Sequence, residues 1–350
     1  MSPALRVLTP GLLTTVQDLG RTGYQHLGIP VSGVLDPVSL RAANVLVGNP
    51  PEMAALEVAY VGPTLVVEAD NVRVAVVGGR AAIEILPSEQ ASAGTLIEPV
   101  ESVHLKRGNV IRIGSLIDAA TLYIAVEGGF DIAPVLGSAS TYLRGNLGGL
   151  QGRALDAGDR LPLLRNRASE REECRFGELD LQAPEFFRVI AGPQDDYFST
   201  ATIARFFDSE YKVGAGSDRM GMRLDGPALQ HAHGYNIISD AIAPGSIQIP
   251  GNGKPIVLLA DRQTTGGYPK IATVISADLP ALGRLRTGAN LRFKAVTLDE
   301  AVEARRELFA ELESLPDKLT SITFDDTIAP SRLFDNNLIS GFVDAESESA

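Results

Sequence analysis

The sequence is almost free of cysteine, since Cys174 is the only one among 350 residues. A single cysteine cannot form an intrachain disulfide, and it cannot build a cysteine-based zinc cluster. Cys174 also lies in a charged stretch, RNRASEREECRFGE, which is typical of a linker rather than of a catalytic pocket. We therefore expect neither a disulfide framework nor a thiol enzyme, and a cytoplasmic location is the simplest prediction.

Long apolar runs and excess positive charge are missing as well. No apolar run reaches the roughly 18 residues that a membrane-spanning helix needs. The start of the chain, MSPALRVLTPGLLTT, lacks the basic region and long apolar stretch of a secretory signal. The 31 Lys and Arg residues are outnumbered by 43 Asp and Glu, which gives a net charge of −12. This acidic balance disfavours nucleic acid and anionic membranes as partners.

Several well-known catalytic and cofactor motifs are also absent. PGNGKP has the wrong spacing for a phosphate-binding loop, and the VGG at residues 77–79 is not part of a dinucleotide fingerprint. No G-x-S-x-G nucleophile motif occurs, although four histidines leave a Ser–His–Asp triad open. His231 and His233 form an H-x-H without further ligands, which is weak support for a metal, so we predict no metal in this chain.

Short apolar segments bounded by turn residues are abundant, in a chain with 35 glycines and 21 prolines. Segments such as VRVAVV, TLYIAV, FRVIA and PIVLLA predict strands, and their spacing favours barrels or sandwiches over alternating β-α units. Helices are predicted after Asp36-Pro37, near residues 196–211, and over residues 298–315, where leucines and Val302 make an apolar stripe. We expect that stripe to pack into the core.

The length of 350 residues predicts two domains. A weak internal repeat supports this prediction, because TLYIAVEGG and PIVLLADRQTTGG both consist of an apolar strand followed by a loop with two glycines. We predict an N-terminal β domain over residues 1–165, a linker over 166–180, a second β domain over 181–300, and a C-terminal helix and tail over 301–350.

The segment DRQTTGGYPK, residues 261–270, directly follows the apolar strand PIVLLA. A strand end that carries charges, hydroxyls and glycines can aim several polar groups at one small anionic ligand. Arginine binds carboxylates through a bidentate fork, and lysine with aspartate can move a proton and stabilise developing charge. We therefore predict that Asp261, Arg262 and Lys270 are catalytic.

Polar clusters at residues 14–36, 137–149, 217–226 and 245–270 are the candidates for substrate binding. Glycines in these clusters let backbone N–H groups approach an oxyanion closely. A structural role is equally open for the pairs Asp18/Arg21 and Asp218/Arg219, since such pairs often satisfy loop backbone. The predicted substrate-binding residues are Gln17, Asp18, Arg21, Ser32, Ser138, Ser217, Arg219, Ser239, Gln248, Gln263, Thr264, Gly266, Gly267 and Tyr268.

Five motifs together resemble a family that includes the C subunit of 5-oxoprolinase, allophanate hydrolase subunit 2 and the carboxyltransferase domain of urea carboxylase. They are TTVQDLGRTGYQHLGIPVSGVLD, AANVLVGNPPEMAALE, YIAVEGGFDIAPVLGSAST, GSDRMGMRL and GSIQIPGNGKPIVLLADRQTTGGYPKIATVISADL, which span most of residues 7–297. The resemblance implies a mainly β chain of two cyclophilin-like β-barrel domains, with a few short helices and a cleft between the domains. Arg284 departs from the family pattern, which often has glutamine there.

The resemblance implies a subunit of a 5-oxoprolinase-like amide hydrolase that opens 5-oxoproline to glutamate. ATP would act through the assembled complex, with the B-like and A-like subunits of such an enzyme as partners. In that hypothesis Lys270 and Arg262 hold negative oxygens, and Asp261 accepts a proton or orients Lys270. An alternative is the carboxyltransferase part of a biotin-dependent urea or amide carboxylase, with carboxybiotin carried by a partner. A third possibility is a non-catalytic regulatory binding protein.

Overall fold

The computed structural model describes residues 2–322. Its N-terminal half contains two antiparallel sheets, with strand orders β11-β1-β4-β9-β6-β7 and β2-β3-β10-β5-β8. Both sheets contribute side chains to one core; Leu5 and Leu65 come from the first sheet, and Leu56 and Ile124 from the second. The strands are β1 (Ala4–Thr9), β2 (Leu13–Gln17), β3 (Ala55–Ala59), β4 (Thr64–Val67), β5 (Asn71–Gly78), β6 (Ile83–Leu86), β7 (Thr95–Ile97), β8 (Ser102–Lys106), β9 (Val110–Ile113), β10 (Thr121–Val126) and β11 (Arg160–Pro162).

Helix α1 (Pro37–Leu46) covers the outer face of the second sheet. It begins after Asp36, whose carboxylate accepts hydrogen bonds from the backbone N–H groups of Val38 and Ser39, with proline at the first helical position. Strand β10 is therefore buried on both faces. Its alternate residues face the inner core, while Tyr123 and its neighbours on the other face pack under the helix.

The C-terminal half curls into a nearly closed barrel. Its eight-stranded sheet has the order β21-β14-β15-β18-β17-β20-β13-β22, and the two edge strands are separated in sequence only by Arg292. The chain itself therefore joins the two edges. The strands of this half are β12 (Cys174–Phe176), β13 (Phe187–Ala191), β14 (Tyr211–Val213), β15 (Gly221–Asp225), β16 (Asp240–Ala241), β17 (Ser246–Gln248), β18 (Ile256–Leu258), β19 (Thr265–Gly266), β20 (Lys270–Val274), β21 (Asn290–Leu291), β22 (Phe293–Ala295) and β23 (Leu319–Ser321).

The remaining helices are α2 (Thr200–Asp208), α3 (Leu279–Arg284) and α4 (Leu298–Glu313). Helix α4 starts with a capping box between Thr297 and Glu300. The prediction that its whole apolar stripe is in the core is wrong for the first turn, where Leu298 is 66% exposed. Only the later turns reach the apolar cluster under α1, to which Leu308 and Leu312 belong.

The prediction of a mainly β chain with two β-barrel domains is confirmed. Strand β12 lies inside the predicted linker and pairs with β23, so the chain returns to the linker after α4. The domain boundaries stay a prediction, and residues 323–350 of the predicted tail lie outside the described residues. No helix within residues 2–322 has the length and apolar character needed to cross a bilayer.

Candidate functional site

A buried network of charges lies where the two halves meet. Asp261, which follows β18, accepts hydrogen bonds from Arg219 Nε at 3.0 Å and from Ser32 Oγ at 2.5 Å. Arg219 also donates to Glu57 of β3 and to the carbonyl of Gly33. Ser32, Glu57 and Gly33 come from the N-terminal half, so the Arg219 guanidinium links the two halves.

The neighbouring charges decide the protonation of this network. Burial lowers the pKa of Arg219, but the charges of Glu57 and Asp261 outweigh burial and raise that pKa above its usual value. Tyr123 donates to Glu57 over 2.7 Å, and burial together with the charges of Glu57 and Asp36 raises the pKa of Tyr123 well above its usual value. Arg219 thus stays charged and Tyr123 stays neutral. Both carboxylate oxygens of Asp261 accept hydrogen bonds inside this network.

The QDLGR segment, residues 17–21, holds a second loop of the N-terminal half, residues 138–141, by hydrogen bonds. Asp18 accepts hydrogen bonds from Ser138 Oγ at 2.6 Å and from the backbone N–H of Ala139 at 2.7 Å. Gln17 Nε2 donates to the carbonyl of Thr141 at 3.0 Å, and Ser32 Oγ, whose proton is directed to Asp261, lies 3.2 Å from the same carbonyl oxygen. The structure therefore brings Gln17, Asp18, Ser32 and Ser138 to one loop, and Ser32 connects this loop to Asp261.

Arg21 is buried in this loop, and only part of its guanidinium group is hydrogen-bonded. Its guanidinium donates to the carbonyl of Ser140, while Arg21 Nη1 has no hydrogen-bond partner among the described residues. Burial lowers the pKa of Arg21, although the charges of Asp18 and Asp261 act in the opposite direction. The Oε1 atom of neighbouring Gln17 is likewise buried and unpaired within residues 2–322. These two atoms mark the loop as a candidate binding wall.

A cleft opens on the C-terminal barrel near Arg144 of the N-terminal half. Two adjoining cavities, of about 190 and about 350 Å³, share Arg223, Ile256 and Tyr268 in their walls. We call this the amide cleft, because two glutamine side chains line its smaller part. That part is lined by Arg144, Asp218, Met220, Gly221, Arg223, Gln248, Ile256, Leu258, Gln263 and Tyr268.

The two glutamine side chains of the amide cleft share one hydrogen bond, and each also has a polar atom without a partner among the described residues. Gln263 Nε2 donates to Gln248 Oε1 over 3.4 Å. Gln248 Nε2 and Gln263 Oε1 are buried, and neither has a partner in the described part of the chain. One free donor and one free acceptor thus lie on adjacent amides. Gly266 lies beside them, and a Cβ atom at this position would lie 2.6 Å from Gln248 Nε2, so a side chain there would displace that amide.

Lys270 lies directly opposite Gln248 in the antiparallel pairing of β17 and β20. Its side chain is 2% exposed, and Lys270 Nζ donates to Asp240 Oδ2 over 2.9 Å. This hydrogen bond is the main reason why the pKa of Asp240 lies below its usual value. The carboxylate that receives the Lys270 ammonium is therefore Asp240, and not Asp261 as the sequence led us to expect.

Arg262 points into a different cavity. It donates from Nε to the carbonyl of Ile242 and from Nη1 to that of Leu259, both over 3.2 Å. Its side chain lines a cavity of about 290 Å³ between the two halves. Burial alone lowers the pKa of Arg262. The structure thus separates Arg262 from Asp261 and Lys270.

The other predicted residues have structural or peripheral positions. Ser217 bridges the carbonyl of Gly214 and the backbone N–H of Arg223 at a turn, and Ser239 is exposed. Strand β16 pairs with β19, which holds Thr264, Gly266 and Gly267 against residues 237–242.

His231 of the H-x-H motif packs against Phe198 and bonds to the carbonyl of Ile249. Among the described residues, no group of three or more His, Cys, Asp or Glu is arranged to hold a metal ion.

Several residues of these sites are missing from the residues predicted from the sequence. Glu57 is 4% exposed in a strand, and a carboxylate inside the apolar run AALEVAY was a signal for a buried partner. Arg223 lies four residues after Arg219 in one of the predicted polar clusters, but it was not among the predicted site residues. Arg144 and Asp240 gave no local signal, because their partners lie 74 and 30 residues away.

Comparisons with known proteins agree with this architecture. Residues 27–295 match the family described as carboxyltransferase domain, subdomain A and B. The chain is 35% identical over 311 residues to the C subunit of 5-oxoprolinase from Escherichia coli (strain K12), which covers 89% of this chain and 97% of that protein. It is 31% identical over 332 residues to urea amidolyase of Saccharomyces cerevisiae, covering 89% of this chain but 18% of that protein.

The crystal structure of the Kluyveromyces lactis urea carboxylase is also similar. Its TM-score is 0.80 at 28% sequence identity, and the match covers 93% of this chain and 30% of that chain. The two barrels and the clefts beside their interface define a carboxyltransferase-type scaffold. The chain belongs to the carboxyltransferase-domain family with subdomains A and B.

Proposed function

We propose that the chain is the C-type subunit of a 5-oxoprolinase-like, ATP-dependent lactam hydrolase. The observation that carries the proposal is the match to the 5-oxoprolinase C subunit over 97% of that protein's length. By contrast, the match to urea amidolyase covers 18% of that much longer protein. The subunit naming of that relative supports work in a complex, with A-like and B-like subunits as the proposed partners.

The chemistry of the amide cleft supports a lactam as the substrate. A lactam presents a carbonyl acceptor and an N–H donor on one small ring. The unpaired Gln248 Nε2 donor and Gln263 Oε1 acceptor complement these two groups, and a rotation of the two side chains towards the cleft would expose both atoms to the ring. Arg223 lines the same cleft, and its Nε donates to the neutral backbone carbonyl of Gly216, so its charge is available to bind the substrate carboxylate.

The residues of this chain have binding and electrostatic roles in the proposed reaction. Hydrolysis adds the hydroxyl of water to the lactam carbonyl carbon, breaks the ring C–N bond and places a proton on the nitrogen. Gln248 orients the carbonyl whose oxygen gains negative charge, and Lys270 supplies positive charge from the opposite strand. ATP, supplied through the partner subunits, drives the hydrolysis.

Turnover by the reconstituted complex tests this proposal. We expect Gln248→Leu and Arg223→Gln each to lower ATP-coupled release of glutamate from 5-oxoproline by about tenfold or more, because each removes a hydrogen bond to a polar substrate. Arg306→Gln, on the exposed face of α4, is the matched control and should retain full turnover. Full activity of both cleft variants would remove the amide cleft from the reaction.

Carboxyl transfer is the second candidate, favoured by the structural similarity to urea carboxylase. The ureido ring of biotin and urea itself also present a carbonyl beside an N–H, so the same pair of glutamines fits them. Carboxybiotin, when brought by a partner, would supply the carboxyl group. Avidin separates the two functions, since it should abolish carboxylation of urea and leave 5-oxoproline turnover unchanged.

A further inference from the structure

Arg262 lines a cavity that the proposed reaction does not use. The cavity has a volume of about 290 Å³ and takes its walls from both halves of the protein. Leu19, Val31 and Val34 come from the N-terminal half, and Leu259 and Leu279 from the C-terminal half. We call it the Arg262 cavity. It is distinct from the amide cleft, although Leu258 lines both.

The Arg262 guanidinium carries an uncompensated charge at this place. Arg262 is 5% exposed, and its two hydrogen bonds go to neutral backbone carbonyls, those of Ile242 and Leu259. In the part of the chain that the structure describes, no carboxylate pairs with it. A buried cation normally has an anionic partner, because burial without one is costly. The two carbonyls fix the orientation of the guanidinium and leave Nη2 free to donate.

Most of the rest of the cavity is apolar; the hydroxyl of Ser32, which also lines it, donates to Asp261. Its lining consists mainly of leucine, valine and proline side chains, with Ser276 exposed at the mouth. A polar substrate with several hydrogen-bonding groups would leave these groups unpaired against such walls. The complementary ligand has one anionic group and a short aliphatic body. The volume is at the lower end of the range for small-molecule sites, so a small ligand of about the size of hexanoate fits it.

We propose that the Arg262 cavity is a second ligand site, which binds a short-chain aliphatic carboxylate. The carboxylate pairs with the free edge of the Arg262 guanidinium, and the alkyl chain lies against the leucine and valine walls. Because both halves build the walls, such a ligand also connects the two barrels. This site is independent of the lactam chemistry proposed for the amide cleft.

Titration of the full chain with hexanoate, followed by calorimetry, tests the site. We expect one hexanoate to bind, and hexanamide to bind about tenfold more weakly or worse, because it lacks the charge. Arg262→Gln should weaken hexanoate binding by a similar factor. Arg223→Gln, which changes the amide cleft, should bind hexanoate like the wild type.

A second variant keeps the test decisive if Arg262→Gln does not fold. Ser276→Phe places a ring at the exposed mouth of the cavity and should block hexanoate without removing any buried group. The proposal is overturned if the wild type binds no hexanoate at millimolar concentration, or if Ser276→Phe binds it unchanged. Loss of binding in Arg223→Gln would place hexanoate in the amide cleft and also overturn it. None of these results depends on 5-oxoproline turnover, so the two proposals fail separately.

Discussion

Neighbouring side chains of residues 261–270 enter four different environments. Asp261 joins the buried network between the halves, and Arg262 faces its own cavity. Gln263 and Tyr268 line the amide cleft, while Lys270 pairs with Asp240. Successive residues at a strand end point in different directions, so nearness in sequence does not gather them in one site. The sequence grouped these residues as one candidate region, but it could not assign its members to common partners.

Arg219 provides the sharpest test at the scale of single residues. Arg219→Met leaves Glu57 and Asp261 buried without their cation, so we expect a loss of about 3–5 kcal/mol in the free energy of unfolding. Urea denaturation at neutral pH measures this loss. Adding Glu57→Gln and Asp261→Asn to the same chain should recover part of the stability, and failure to recover any would show that the charges are not the cause.

Lys270 should matter for turnover more than for stability. Its partner Asp240 is 49% exposed, so water can solvate that carboxylate when the ammonium is removed. We expect Lys270→Met to lower 5-oxoproline turnover by the reconstituted complex at least about a hundredfold, within the range for loss of a group that stabilises charge in the transition state. Thermal unfolding of the same variant is the control. Full turnover would exclude Lys270 from the reaction.

At the scale of elements, the start of helix α1 combines a cap with an ion pair. Asp36 caps the helix and also accepts a hydrogen bond from Arg284 Nη1 at 2.7 Å. Arg284, the residue that departs from the family pattern, thus has a buried structural partner in Asp36. Asp36→Asn keeps a capping oxygen and loses the charge, whereas Asp36→Ala loses both. We expect Asp36→Ala to be less stable than Asp36→Asn by about 1 kcal/mol, the usual contribution of a cap.

Chemical denaturation of the two Asp36 variants measures that difference. Arg284→Gln in the Asp36→Asn background removes the unpaired guanidinium and should restore part of the lost stability. Equal stability of the Asn and Ala variants would mean that the cap contributes nothing at this helix.

The aromatic cluster of the second barrel should respond to alkaline pH. Tyr211 packs between Phe206 and Phe293, and burial raises its pKa from 10.0 to about 12. Above pH 10 this tyrosine ionises in the unfolded chain but not in the folded one. Stability should therefore fall as the pH rises from 10 towards 12, by at most about 1.4 kcal/mol per pH unit for one proton. Tyr211→Phe keeps the ring packing and should lack this part of the slope.

Paired denaturation curves of the wild type and Tyr211→Phe at pH 9, 10 and 11 measure the difference, because other groups titrate equally in both proteins. A constant difference across these pH values would show that the Tyr211 hydroxyl ionises normally.

At the scale of the whole molecule, the two barrels are joined by more than a linker. Arg219 and Arg284 of the second half bind Glu57 and Asp36 of the first, and the backbone N–H of Ala120 donates to the carbonyl of Arg284. We expect the wild type to unfold in a single transition, with equal calorimetric and van't Hoff enthalpies. Two separate transitions in scanning calorimetry would mean that these links do not couple the barrels.

The sequence by itself determined the mainly β barrel character and the family, and it predicted the domain boundaries and a candidate functional region. These features depend on local patterns: short apolar runs, turn residues, a helix cap, and motifs read in order along the chain. Only the tertiary structure decided which charges are paired and which remain free. Arg219 and Glu57 are 162 residues apart in sequence, and Lys270 pairs with Asp240 rather than Asp261. Pairing of buried charges depends on distances in space, and no spacing along the chain encodes those distances.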